Sequence, residues 1–291
     1  MGLRFLKLGI IGFIVLSFSV IAVAKEYTIK VEKEEEEDEN LIEIYHRPTI
    51  SLGFGLSKYK LKDLNRSFAE LGLAEIKLGF SSKEPEYDPE NIFKYDYIYF
   101  SLTNVSTDLG GESNTNKIET DMWRLGLGRE EGYGYGLGKS SITLYNSSGI
   151  GWSELKVKHK EVHPSSDIAL LSLWDGSFRF GTRTEGGVKI QLIPILSFDA
   201  GYERAVVFSR FVFWESLLSM ALEDGAQFLL DKFIDQIGDS SPYAVPVVSF
   251  FLKNGLSYGI YELRKDKMNW PFDSAPPLFS DSFKFGLSFV F

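Results

Sequence analysis

From Arg47 onward, oily and polar residues alternate with a period of two over most of the chain. Leu52, Phe54 and Leu56 alternate with Ser51, Gly53, Gly55 and Ser57, and Ile76, Leu78 and Phe80 with Glu75, Lys77 and Gly79. Ile98, Phe100 and Leu102 alternate with Tyr97, Tyr99 and Ser101, and Trp123, Leu125 and Leu127 with Met122, Arg124, Gly126 and Gly128. The pattern returns at Ile142 and Leu144, through Phe178–Leu192 and Leu196–Phe208, and at Phe283, Phe285, Leu287, Phe289 and Phe291. Such alternation predicts strands with one apolar and one polar face. Eight spans meet it: 48–58, 74–82, 94–104, 118–129, 139–153, 177–192, 195–209 and 282–291.

One stretch keeps a different period. Trp214, Leu217, Leu218, Ala221, Phe228, Leu229, Phe233 and Ile237 recur at helical spacing opposite Ser216, Glu223, Gln227 and Asp231, which predicts an amphipathic helix over 213–237. Val247–Leu263 reads either as a second helix opened by Pro246 or, from Gly255, as one more strand, which would raise the strand count to ten. The helical insertion spans 212–264. Side chains fill an eight-stranded lumen, so beside eight strands the helices are expected at a barrel mouth or along the membrane surface, with a plug reserved for ten or twelve strands.

Strands with one oily face suit either a secreted β-sandwich, oily side in, or a membrane barrel, oily side out. The polar face decides for the barrel. It is rich in glycine and carries charges of both signs: Glu75, Lys77, Arg124, Arg179, Arg183, Glu185, Lys189, Asp199, Glu203 and Lys284. Mixed signs suit mutual pairing inside a narrow lumen. Composition agrees, with 15% aromatic residues at a mean hydropathy of −0.06. The net charge of −9 argues against nucleic acid as a partner. The absence of cysteine excludes disulfides, thiolate metal sites and a cysteine nucleophile, and three histidines (His46, His159, His163) make a poor metal set. No cofactor is expected.

The last ten residues, from Ser282 to Phe291 with Phe283, Phe285, Leu287, Phe289 and Phe291 on one face, resemble the terminal strand of bacterial outer-membrane β-barrel proteins. The segment Leu192–Tyr202, with Pro194 at its turn, resembles the tight periplasmic turn of such barrels. The resemblance covers most of 47–210 and 282–291. It implies an antiparallel transmembrane barrel, with outer-membrane lipid and the insertion machinery that reads the C-terminal strand as partners. It says little about activity. At the other end, Arg4 and Lys7 precede an apolar stretch that closes on Ala22-Val23-Ala24, the form of a secretory signal peptide cleaved after Ala24. An acidic lead-in, 25–46, follows, with its densest run at 34–39.

Candidate chemistry is sparse. His163, Ser165, Ser166 and Asp167 sit together in one loop, but triad partners normally converge from separate elements. Gly132–Gly138 lacks the Lys-Ser/Thr of a phosphate loop and reads as a turn with interfacial tyrosines. The expected function is a structural or narrow small-solute pore protein of the outer membrane, non-enzymatic. A lipid-modifying enzyme with its site at the outer rim is the alternative, and a secreted β-sandwich binding protein the second.

Overall fold

The computed structural model describes residues 46–87, 90–104, 117–158, 165–210 and 212–291. The expected signal peptide, the acidic run, His159 and His163 lie outside the described residues. Eight strands form in chain order: β1 (Arg47–Leu61), β2 (Leu71–Tyr87), β3 (Glu90–Asn104), β4 (Thr120–Leu137), β5 (Ser140–Val157), β6 (Phe178–Ile193), β7 (Leu196–Val207) and β8 (Leu278–Val290). Each pairs antiparallel with its neighbour, and β8 closes on β1 with Phe285 opposite Phe54. Closure leaves no sheet edge, which a sandwich would have.

Among the described residues three α-helices interrupt the strands: α1 (Ser165–Trp174) between β5 and β6, then α2 (Phe213–Ser240) and α3 (Val245–Leu263) between β7 and β8. The ambiguous 247–263 stretch is therefore helix, and the ten-strand count falls. The Gly132–Leu137 segment is also not a turn. It belongs to β4, and the reversal comes at Gly138, whose φ of +67° is the left-handed conformation that favours glycine. Tight turns at Gly138 and Pro194 mark one end of the barrel, and the connections holding all three helices mark the other.

The barrel's polarity is inverted. Inward positions such as Tyr95, Tyr99, Arg183, Glu185 and Lys189 are buried, while outward Phe54, Phe80, Phe100, Phe285 and Leu102 are exposed, Phe54 by 61%. A belt this large and oily is far beyond what a soluble monomer presents to water. It is the lipid-facing belt of a membrane barrel. Inside, the lumen is stacked in layers. At the loop-rich end Tyr59, Leu71, Met122, Leu155, Val207 and Leu278 meet Phe68 and Ile118 from the loops and Leu171 and Trp174 from α1, forming an apolar lid. Beneath it comes a layer of charges. Toward the tight-turn end follow hydroxyls, with Ser51 bound to Ser288 at 2.7 Å and Thr49 to Ser81 at 2.7 Å.

Candidate functional site: a charged lumen and a helix-covered outer wall

Alternation on five different strands brings nine charged side chains together inside the lumen. Glu203 accepts from Arg124 at 2.8 Å, from Arg183 at 3.0 Å and from Lys284 at 2.8 Å. Glu75 accepts from Arg183 and, at 3.0 Å, from Lys284. Glu185 accepts from Lys284 at 2.6 Å and faces Lys77 at 3.5 Å, and Glu130 pairs with Lys189 and lies 3.7 Å from Lys77. The carboxylates of Glu75, Glu185 and Glu203 are close enough together to hold a metal ion. The Lys284 ammonium occupies that centre, touching all three.

Tyrosines wall this network. Arg183 stacks 3.6 Å from the Tyr99 ring centroid, Lys77 lies 4.7 Å from that of Tyr97, and Lys189 lies 4.3 Å from that of Phe93. Cations over aromatic faces gain attraction that water would weaken. The rings find room because glycine faces them. A Cβ at Gly128 would stand 2.6 Å from the Tyr97 ring, which Ser147 (2.6 Å) and Arg183 (2.9 Å) hold by its hydroxyl. Gly128→Val is therefore expected to cost about 1–3 kcal/mol by overpacking. Tyr97→Ala should recover part of that loss, so a double-mutant cycle should show coupling of about 0.5–3 kcal/mol. Strict additivity would mean the ring does not lie over Gly128.

Of the ten charges singled out in the sequence, eight meet here. Asp199 borders the same cavity and accepts from Ser288 at 3.3 Å. Arg179 stands apart: at the loop-rich end its guanidinium lies 4.4 Å from the Trp174 ring and donates to the Leu173 carbonyl. Glu130 was overlooked because Arg129-Glu130-Glu131 is polar on both faces, which hides the alternation. Two cavities lie among these side chains, each of about 10 Å³, room for about one water. His163 is outside the described residues, and Ser165 opens α1. Asp167 is buried and receives the Asn65 backbone N–H (3.3 Å) and side-chain N–H (2.7 Å), which latches the 62–70 loop to α1.

Helices α2 and α3 cover neither the mouth nor the lumen. Helix α3 packs on the outward face of the wall, across β4, β5 and β6. Lys253 reaches Glu131 of β4 (2.8 Å) and Asp231 of α2 (2.7 Å), and Asn146 of β5 donates to Asn254 (3.0 Å). Gly186 of β6 permits this approach, since a Cβ there would stand 2.2 Å from the Asn254 side chain. Arg204 of β7 lies 4.9 Å from the Tyr258 ring, and Tyr261 donates to Asp281 of β8 at 2.8 Å. Apolar clusters fasten both ends: Val206, Phe208, Tyr261, Met268 and Phe279 at one, Tyr133, Ile234 and Val245 at the other.

The strand register explains why the helix lies there. Asp96, Arg129, Ser148, Thr184, Arg204 and Asp281 are successive cross-strand partners from β3 to β8, all outward. Next to them run Lys94, Glu131, Asn146, Gly186 and Tyr202. Two polar rows thus cut across the oily belt. They descend from near the start of β8 at the loop-rich end to the opposite half of β3. Their signal was present in the sequence as the breaks Arg129-Glu130-Glu131, Asn146-Ser147-Ser148 and Thr182–Gly186, where alternation lapses on the oily side.

Fold and polarity together define a closed eight-stranded barrel of membrane type with a helical hairpin on its outer wall. Among solved structures the chain is similar to Neisserial surface protein A (NspA), at 8% identity over 84% of this chain and 97% of that one, with a TM-score of 0.38. It is also similar to Ail, the attachment invasion locus protein of Yersinia pestis, at 10% identity over 84% and 99%, with a TM-score of 0.32. No protein-family model and no curated sequence matches it.

Proposed function

We propose that the protein is a bacterial outer-membrane barrel whose role is structural, a closed integral scaffold with no solute path through it. The observation that carries this reading is the lumen: buried charges pair across it, tyrosines wall them, and the apolar lid of Leu171, Trp174 and their neighbours covers the loop-rich mouth. A pore needs a continuous file of water, and the two cavities among these side chains each have room for about one water. The outer-membrane location is supported by the oily belt, the aromatic C-terminal strand that insertion machinery would read, and the signal-peptide pattern that closes on Ala24.

The test is electrical. Folded protein, recognised by its heat-modifiable migration on a gel, is reconstituted into planar bilayers. The expected record is flat, without stepwise conductance. Discrete reproducible steps that vanish on boiling would overturn the closed-scaffold reading in favour of a narrow pore.

A further inference from the structure

Building on the membrane-barrel reading, we propose that the α2–α3 hairpin lies within the bilayer, with its polar face on the barrel wall and its oily face turned to lipid acyl chains. The hairpin shares the barrel's inverted polarity. It buries Ser216, Ser219, Ser249, Lys253, Ser257 and Arg264, and it exposes Trp214, Leu218, Phe228, Leu229, Phe233 and Phe251. A helix pair docked on a protein in water does the reverse. Buried groups find partners in the seam: Arg264 pairs with Glu223 at 2.9 Å and donates to Ser219 at 3.2 Å, though its Nε–H has no partner among the described residues, and Gln227 donates to Ser257 at 3.1 Å.

The barrel wall makes the same case from its own side. On β5 the outward Ile150 and Trp152 lie on one side of Asn146 and Ser148, with Ile142 and Leu144 on the other. On β6 Phe178 and Phe180 precede Thr182, Thr184 and Gly186, and Val188, Ile190 and Leu192 follow. The polar rows therefore sit inside the oily belt, where bare lipid would leave polar groups without partners. The hairpin supplies partners to Glu131, Asn146, Arg204 and Asp281, while Asp96 and Arg129 pair with each other at 2.6 Å, and the hairpin's exposed face continues the belt across the gap.

Length fits as well. At 28 residues α2 is about 42 Å long, enough to traverse a hydrocarbon layer of about 30 Å while tilted. No described helix is long and apolar enough to cross a membrane. Neither helix of the hairpin needs to be, because each meets lipid on one face only. Asp224, Lys232, Gln236 and Asp239 interrupt the oily stripe, three of the four in the C-terminal half of α2, where Lys232 lies 3.6 Å from Asp235.

The chain has no cysteine, so single introduced thiols report position cleanly. Phe228→Cys and Phe251→Cys probe the hairpin, Phe285→Cys the barrel belt and Lys265→Cys the water-exposed end. Each variant is checked for heat-modifiable migration, reconstituted into phosphatidylcholine vesicles and treated with a membrane-impermeant maleimide. Positions 228 and 251 are expected to label at least tenfold more slowly than 265 and at a rate close to that of 285. Bimane attached at 228 or 251 should be quenched by brominated acyl chains. Fast labelling at both 228 and 251 with 285 protected would overturn the intramembrane hairpin and leave the barrel intact. Fast labelling at 285 would bring down the membrane barrel and the hairpin with it.

Discussion

Glu203→Ala is expected to destabilise the folded barrel by about 3–5 kcal/mol, the usual cost of removing one partner from a buried ion pair. The carboxylate is fully enclosed and is shared by Arg124, Arg183 and Lys284. Arg183 and Lys284 keep Glu75, but among the described residues Arg124 keeps no other carboxylate within ion-pair distance. A stranded guanidinium in a dry lumen is where the cost arises. The companion variant is Arg124→Met with Glu203→Leu, which removes both ends of one pair and replaces them with apolar volume. It should lose less than the single change, because desolvation of the pair disappears along with its attraction. Denaturant titration of detergent-folded protein measures both. A loss under about 1 kcal/mol for Glu203→Ala would place these charges in the range of exposed pairs, and so in a hydrated lumen at odds with the closed-scaffold reading.

Phe54→Arg should cost about 2–4 kcal/mol, the penalty for an arginine at the lipid midplane of a barrel. Phe54 stands in the middle of β1, outward and exposed, and its neighbour across the closing seam is Phe285, equally oily. The rim supplies the contrast. Lys60 pairs with Asp281 at 3.0 Å with its own side chain largely in solvent, so Lys60→Ala should change stability by less than about 1 kcal/mol. Unfolding in lipid vesicles ranks the two. Equal effects would mean that the outward face of β1 does not meet lipid, and the inverted polarity would have to be read another way.

The lumen and the belt differ in how far they could be read before folding. Side-chain direction in a strand follows from backbone geometry alone, so Leu52-Gly53-Phe54 or Lys284-Phe285-Gly286 already state which residues share a face. That local rule placed the eight strands, and mixed charges on the polar face argued for an interior. It could not say which charge meets which. Glu203 of β7 finds Arg124 of β4 across the barrel, a pairing set by closure and strand stagger and not by any sequence spacing. Arg179 shows the limit: it keeps the alternation, yet it lies at the very start of β6, where it joins the Trp174 lid.

The hairpin divides along the same line. The period of Trp214–Ile237 declares a helix because i, i+3 and i+4 share a face whatever surrounds it. Val247–Leu263 could not be decided locally, since its apolar and small residues suit either element. Only the tertiary fold separated them: Lys253, Asn254, Tyr258 and Tyr261 of one helix meet Glu131, Asn146, Arg204 and Asp281, a polar stripe assembled from separate strands. That stripe exists only once Arg129, Ser148, Thr184 and Arg204 are in register, each supplied by a different strand. The chain by itself determined strands, helix and which face is oily, because those depend on neighbours in sequence. Closure determined the charge partners and the helix's place on the outer wall, because those depend on neighbours that only the register brings together.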